Sequence, residues 1–290
     1  MSTFINLQSP TSNLDKYPPL MLISSLQNGR IKQLVKLNNR RQRDAARLTL
    51  VEGEREVLRA LAAGVMPTAV FVCPELLTNH ELVAQLQQVA ARGAEWVEVT
   101  TAVFQKIAYR GDSGGVVLTV PYWPTRLADL PPTANPFYVV VDNIEKPGNL
   151  GAILRTADAA GVDGVIVTGD SSTDLFNPNV VRASLGTLFH VPVAVSGVEE
   201  TAVWLHQRHI QIIAATPAGQ TSYTRVPMHG PVAIVMGSEA HGLGHDWLAQ
   251  TDTHVVIPMH GIADSLNLST ATALLLYEVV RQRGAVNSNR

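Results

Sequence analysis

The sequence predicts an α/β protein: a parallel sheet covered by helices in the C-terminal half, with a smaller α/β domain ahead of it. Three observations lead there. From residue 22 onward, short apolar runs alternate with helical stretches. Five prolines between 121 and 136 split that alternation into two series, as a linker would. In the second series strand-like and helical runs repeat in turn, and parallel strands need such crossover helices. The chain's 290 residues suit two domains of ordinary size.

Residues 1–21 read as a mobile tail, on the strength of Pro10, Pro18, Pro19 and their polar neighbours. A helical pattern follows, with Leu26, Leu34, Leu37, Leu48 and Val51 separated by basic residues. A second helix is expected at 54–63, closed by Gly64. Residues 69–73 look like a buried strand ended by Pro74. An amphipathic helix at 80–92 stops at Gly93. Strands at 96–99 and 116–120 complete a domain over 22–120. Residues 121–136 are the linker. The second domain, 137–290, carries strand-like runs at 137–141, 164–168, 191–195, 211–215, 232–236 and 254–257. Its helices are expected at 149–160, 180–189, 199–207 and 268–283. Ligands of such sheets sit beyond the carboxyl ends of the strands.

Hydrophobic residues make up 46% of the chain and charged residues 16%, which excludes a wholly disordered chain or a coiled coil. Lys and Arg total 22 against 24 Asp and Glu, a net charge of −2. Affinity for nucleic acid must therefore come from local clustering. Cys73 is the only cysteine, so no intrachain disulfide can form, in keeping with a reducing compartment. Residues 1–20 lack the charged head and apolar core of a signal peptide. No run approaches the ~18 apolar residues of a membrane span. A soluble cytoplasmic protein is expected.

Such a cluster exists. Arg30, Lys32, Lys36, Arg40, Arg41, Arg43 and Arg47 fall within 18 residues, opposed only by Asp44. It would attract phosphates whatever the base sequence, and more weakly as salt rises. The competing reading is a solvated helix face.

Three segments carry candidate chemistry. Residues 142–158 run from a strand through Lys146-Pro147-Gly148-Asn149 into a helix bearing Arg155, and a helix start offers free backbone N–H groups to an anion. Residues 235–243 again empty a buried strand into a loop, where Gly237 would let a ligand approach the backbone closely and Glu239 would project at the sheet edge. Residues 257–269 join the last strand to the last helix, with Ser265, Asn267 and Ser269 as candidate caps. Each has a structural alternative: a capped turn, a surface ion pair, a helix cap. Together they would gather small and polar groups on one rim. Phosphate-loop, dinucleotide-loop and nucleophile-elbow fingerprints are absent. His241 and His245 are four apart, but Gly242 and Gly244 between them argue against a metal-binding helix, so no metal is expected.

The three segments together resemble the motifs of the SpoU (TrmH-like) branch of the SPOUT RNA 2′-O-ribose methyltransferases, over about 137–285. The stretch 176–184 is similar to the segment usual between the first and second motifs. Residues 22–120 more loosely resemble the ribosomal-protein-like RNA-binding domain that often precedes them. The resemblance implies a C-terminal trefoil knot, otherwise nearly absent from proteins, a homodimer, and S-adenosylmethionine as cofactor. It places that cofactor against Thr216, Met236, Gly237, Ile257, Met259, Leu266 and Leu268. It makes Asn149, Arg155, Glu239, Ser265 and Asn267 the catalytic pocket.

The implied reaction is methylation of a ribose 2′-hydroxyl in RNA, with 23S ribosomal RNA as the target. The protein's tasks would be to align two atoms and remove a proton. A guanidinium stays protonated, so Arg155 is expected to clamp a phosphate while the proton leaves through phosphate or water. Glu239 is expected to hold Arg155 or RNA. Arg30, Lys32, Lys36, Arg40, Arg41, Arg43 and Arg182 are the candidate RNA contacts. Three other functions stay open: a tRNA ribose methyltransferase, a non-catalytic RNA-binding assembly factor, and an ordinary nucleotide-binding enzyme.

Overall fold

The computed structural model describes residues 21–109, 113–169 and 174–284. The expected tail lies outside the described residues except for Met21, which opens a strand. Strands β1 (Met21–Ile23), β2 (Leu48–Glu52), β3 (Ala69–Val72), β4 (Glu95–Val99) and β5 (Val116–Pro121) form one sheet in the order β1-β4-β3-β5-β2. β1, β4 and β3 are parallel, while β5 runs antiparallel to β3 and β2. Helices α1 (Gly29–Lys36), α2 (Arg40–Ala46), α3 (Glu54–Ala62), α4 (His80–Ala91) and α5 (Thr101–Ile107) belong to this half.

Two expectations fail here. Leu48 and Val51 belong to β2, not to a helix; Arg47, with φ 53°, ends α2 in the left-handed region and turns the chain into the strand. β1 and α5 were not expected. β1 is only three residues long and is held by its parallel pairing with β4, a partner invisible to local periodicity.

The second half holds β6 (Phe137–Asp142), α6 (Pro147–Ala160), β7 (Gly164–Thr168), α7 (Pro178–Ala183), β8 (Val193–Val195), α8 (Val198–His206), β9 (Gln211–Ala215), β10 (Thr221–Ser222), β11 (Val232–Met236), α9 (His245–Gln250), β12 (Thr253–Val256) and α10 (Leu268–Gln282). Its seven strands, in the order β10-β12-β9-β11-β6-β7-β8, are all parallel to their neighbours. Every residue of β6, β7 and β11 is buried, as strands covered on both faces must be. The expected helix over 180–189 breaks at Ser184. Leu185 and Gly186 both take left-handed backbone, with φ 52° and 82°, which no helix continues.

The stretch after β5 is not free of the sheet beside it: Leu127 and Leu130 are buried against β6, β7 and β9 side chains. The two halves dock through residues 174–189. Tyr122 stacks on Phe176 at 3.7 Å with Trp123 edge-on at 4.8 Å. Thr49 Oγ1 donates to the Phe176 carbonyl at 2.5 Å and Arg59 Nη1 to that of Leu185 at 2.6 Å. Arg43, 1% exposed, donates to the Leu37 carbonyl at 2.7 Å and forms an ion pair with Asp174.

Candidate active site

β9, β11 and β12 end side by side: Ala215 is in register with Met236 on one side and Val255 on the other. Residues just past these ends therefore share one rim. β6 lies next to β11, so the loop into α6 opens on the same rim.

The base of the rim is a buried polar network. The Asp142 carboxylate, 3% exposed, accepts from Thr168 Oγ1 at 2.8 Å and from Asn143 Nδ2 at 3.1 Å. Thr168 Oγ1 in turn accepts from Trp247 Nε1 at 3.1 Å. Buried polar groups satisfied in this way rigidify their surroundings. α6 starts on Pro147, whose fixed φ suits a first turn, and presents Asn149 on that turn.

The Glu239 carboxylate is where the three segments meet. Its Oε1 accepts from Asn149 Nδ2 at 2.7 Å and from Asn267 Nδ2 at 2.9 Å. Its Oε2 is paired with the Lys146 ammonium. Asn267 is the N-cap of α10: its Oδ1 accepts from Ser269 N at 3.0 Å and Ser269 Oγ at 2.6 Å, which frees its amide NH2 for Glu239 and, at 3.2 Å, Asn149 Oδ1. Lys146, Asn149 and the Leu268 N–H hold the Glu239 carboxyl below its ordinary range, and Glu239 holds the Lys146 ammonium above its own. The cluster is a fixed anion tied to a fixed cation.

Lys146 was not singled out from the sequence. Its partner lies 93 residues away, so no local spacing announces it. Arg155 and Ser265 lie outside the cluster. Both are exposed, and neither side chain has a hydrogen-bonding or ionic partner among the described residues. The expectation that Glu239 holds Arg155 is therefore corrected: its oxygens are taken by Lys146, Asn149 and Asn267.

The candidate cofactor residues fall on the same rim. Thr216 follows β9 and donates its N–H to the Val255 carbonyl at 2.9 Å. Met236 and Leu268 are buried, Ile257 and Leu266 half-buried, and Met259 is exposed. Gly237 has a structural reason of its own to lack a side chain. A Cβ there would overlap the Gly242 carbonyl, because Ser238 and Gly242 exchange backbone hydrogen bonds at 3.1 and 3.0 Å. The Cβ position of Gly237 is taken by the loop's own returning backbone.

The basic cluster divides. Lys32, Lys36 and Arg41 are exposed. Arg30 pairs with Glu95, and Arg40 lies 3.6 Å from Asp44. Arg43 is corrected from RNA contact to buried bridge between the halves. Arg182 also serves that junction: its guanidinium lies 4.5 Å from the Tyr109 ring and 3.9 Å from Glu52. Among the described residues no group of three or more His, Cys, Asp or Glu is placed to hold a metal, and no helix is long and apolar enough to cross a membrane.

Comparison with known proteins gives this geometry a context. Residues 136–277 match the SpoU rRNA Methylase family, and residues 28–117 match the MRM3-like substrate binding domain. A 23S rRNA guanosine 2′-O-methyltransferase of Bacillus subtilis (strain 168), RlmP, is 30% identical over 89% of this chain and 98% of its own length. RlmB of Pectobacterium atrosepticum, a 23S rRNA guanosine 2′-O-methyltransferase, is 40% identical, but over 51% of this chain and 61% of its own. Among solved structures, an rRNA methyltransferase from Sinorhizobium meliloti with AdoMet bound is similar, with TM-score 0.82 and 33% identity, over 90% of this chain and 98% of that one. An RNA 2′-O ribose methyltransferase superposes with TM-score 0.77 and 40% identity, over 91% and 99%. With one motif match in each half and full-length relatives across both, the chain belongs to the SpoU rRNA methylase family.

Proposed function

We propose that this chain transfers a methyl group from S-adenosylmethionine to a ribose 2′-hydroxyl of 23S ribosomal RNA. The observation that carries the reading is the convergence of Asn149, Glu239 and Asn267, from three separate segments, into one hydrogen-bonded cluster. Full-length similarity to RlmP supports the choice of target.

The rim residues fit the cofactor chemically. Met236, Ile257, Met259 and Leu266 are uncharged and mostly apolar, as the body of an adenosine requires. Met259 is 37% exposed and Ile262, on the same loop, fully so; a ligand laid along that loop would cover both. When bound, the cofactor supplies a methyl group already activated on a sulfonium. The chain's own residues supply alignment. Glu239, whose oxygens are taken by Lys146, Asn149 and Asn267, acts as the anchor that orients the two asparagines. These residues would hold the ribose 2′-hydroxyl oxygen in line with that methyl group. The proton leaves through an RNA phosphate or water. Arg155 grips that phosphate with its two-pronged guanidinium.

Three further parts belong to this reading. The trefoil knot is supported by α10 packing back on α6 and β11 after β12 has passed to the far side of β9. A homodimer is supported by Leu274 and Tyr277, exposed three residues apart on α10. Cytoplasmic placement follows from the ribosomal target.

Ribose methylation mapped across ribosomal RNA, with and without the protein, tests the whole. One 2′-O-methyl mark should depend on the chain; no dependent mark on any 23S position ends the reading. Arg155→Lys should lower methyl transfer at least about tenfold, because an ammonium cannot make the bidentate contact; near-normal transfer removes the clamp. Neutralising Lys32, Lys36 and Arg41 should weaken RNA binding and flatten its salt dependence by up to about three charges' worth, with cofactor titration unchanged. An unaltered salt slope would take α1 and α2 off the RNA path.

A further inference from the structure

We infer that the crevice between α2 and the start of α6 is a nucleobase subsite, which takes one unstacked base of the RNA. The inference rests on the methyltransferase reading and adds to it how the target strand is gripped. The crevice encloses about 220 Å³ and lies where the N-terminal half meets the rim. Its floor is apolar: Ile144, Leu150 and Val180 line it, each 3% exposed or less.

Its edge is polar and balanced. Arg40 and Lys146 bring two positive charges and Glu145 and Asp174 two negative ones, and Arg40, Lys146 and Asp174 are already paired with Asp44, Glu239 and Arg43, so the lining offers no net positive charge. A phosphate would need net positive charge there. A base is itself neutral, with apolar faces and a hydrogen-bonding rim, which matches an apolar floor under a mixed polar edge. Sequence-selective RNA recognition works on bases splayed out of the stack in this way. The volume is too small for anything much larger.

Asn177 supplies a specific contact. Its Oδ1 accepts the Asn179 N–H at 2.9 Å as the N-cap of α7. Its amide NH2 has no partner among the described residues and remains available to an acceptor on a base edge. Lys146 links the crevice to the chemistry, since it lines the one and pairs with Glu239 in the other. A base seated here carries its ribose toward the Asn149–Glu239–Asn267 cluster, and its neighbouring phosphates run past the exposed Arg41 of α2.

Photocrosslinking with the full chain tests this. Ribosomal RNA transcripts substituted with 4-thiouridine or 6-thioguanosine should crosslink to peptides within residues 144–150 or 177–180. In parallel, Asn177→Asp keeps the cap, because a carboxylate accepts the Asn179 N–H equally well, but removes the donor. It should raise KM for RNA about tenfold with calorimetric titration of S-adenosylmethionine unchanged. Crosslinks confined to α1, α2 or other surfaces overturn the subsite, as does an Asn177→Asp KM within about twofold of the wild type. Crosslinking needs no turnover. Crosslinks at the crevice without methylation would sink the methyltransferase reading alone, and methylation without crosslinks there would sink the subsite alone.

Discussion

Glu239→Ala is expected to lower kcat for RNA methylation about a hundredfold, the scale of loss when reacting groups are misplaced by about an ångström. The carboxylate is the common acceptor for Asn149 and Asn267 and the counter-ion of Lys146. Without it both amides lose their shared anchor and the ammonium stands beside them unpaired. Affinity for S-adenosylmethionine should stay within a few-fold, because Glu239 is not itself among the cofactor candidates. Glu239→Gln keeps an oxygen for the two asparagines but turns an amide NH2 toward Lys146, so its loss should be smaller. The pH dependence has a definite sign. The folded carboxyl lies below its ordinary value, so the anchored cluster is complete above the ordinary carboxylate range and is lost only as pH falls through the lowered value. Between about pH 6 and 9 the rate should not titrate with this group. Single-turnover kinetics with calorimetry checks both statements; an alanine variant with half the wild-type kcat would remove Glu239 from the chemistry.

Most of the parallel sheet was legible because its strands are buried on both faces. The runs 164–168, 211–215 and 232–236 match β7, β9 and β11 residue for residue, since nothing polar interrupts an apolar run inside a covered sheet. Where the chain depends on a distant partner, periodicity failed. β1 exists through its pairing with β4, and Leu48 and Val51 took a helical spacing that β5 overrides. The site divides in the same way. Asn149, Glu239 and Asn267 were reached through the SpoU resemblance, with Glu239 also legible as a carboxylate past a buried strand and Asn267 as a helix cap. Lys146 was not reached, because a lysine in a loop has meaning only once Glu239 is opposite. Arg43 was the reverse error: charge clustering in sequence suggested a surface, and the fold buried one of the seven basic residues. At Gly237 the close neighbour of a side chain would be the loop's own Gly242, a constraint no local spacing shows.

Arg43→Met should destabilise the protein by about 3–5 kcal/mol, the cost of leaving one partner of a buried ion pair uncompensated. Arg43 is 1% exposed and Asp174 side-chain exposure is 15%, so neither charge can turn to water without opening the junction between the halves. Methionine fills much of the same space, which confines the loss to charge and to the hydrogen bond with the Leu37 carbonyl. Arg43→Met with Asp174→Leu should recover a large part of the deficit, since a buried pair replaced by apolar groups is often neutral. Burial already pushes the Asp174 carboxyl up by more than Arg43 pulls it down, and removal of Arg43 pushes it further. A group with a raised folded value stabilises fully below its unfolded value and loses that contribution as pH rises through the folded one. The single variant's deficit should therefore be larger at pH 8 than at pH 5, and the double variant's should not change with pH. Urea unfolding at about those two pH values, followed by tryptophan fluorescence, to which Trp123 at the junction contributes, measures each difference. A deficit under about 1 kcal/mol, or one that grows as pH falls, would show that Arg43 does not hold Asp174 in the folded protein.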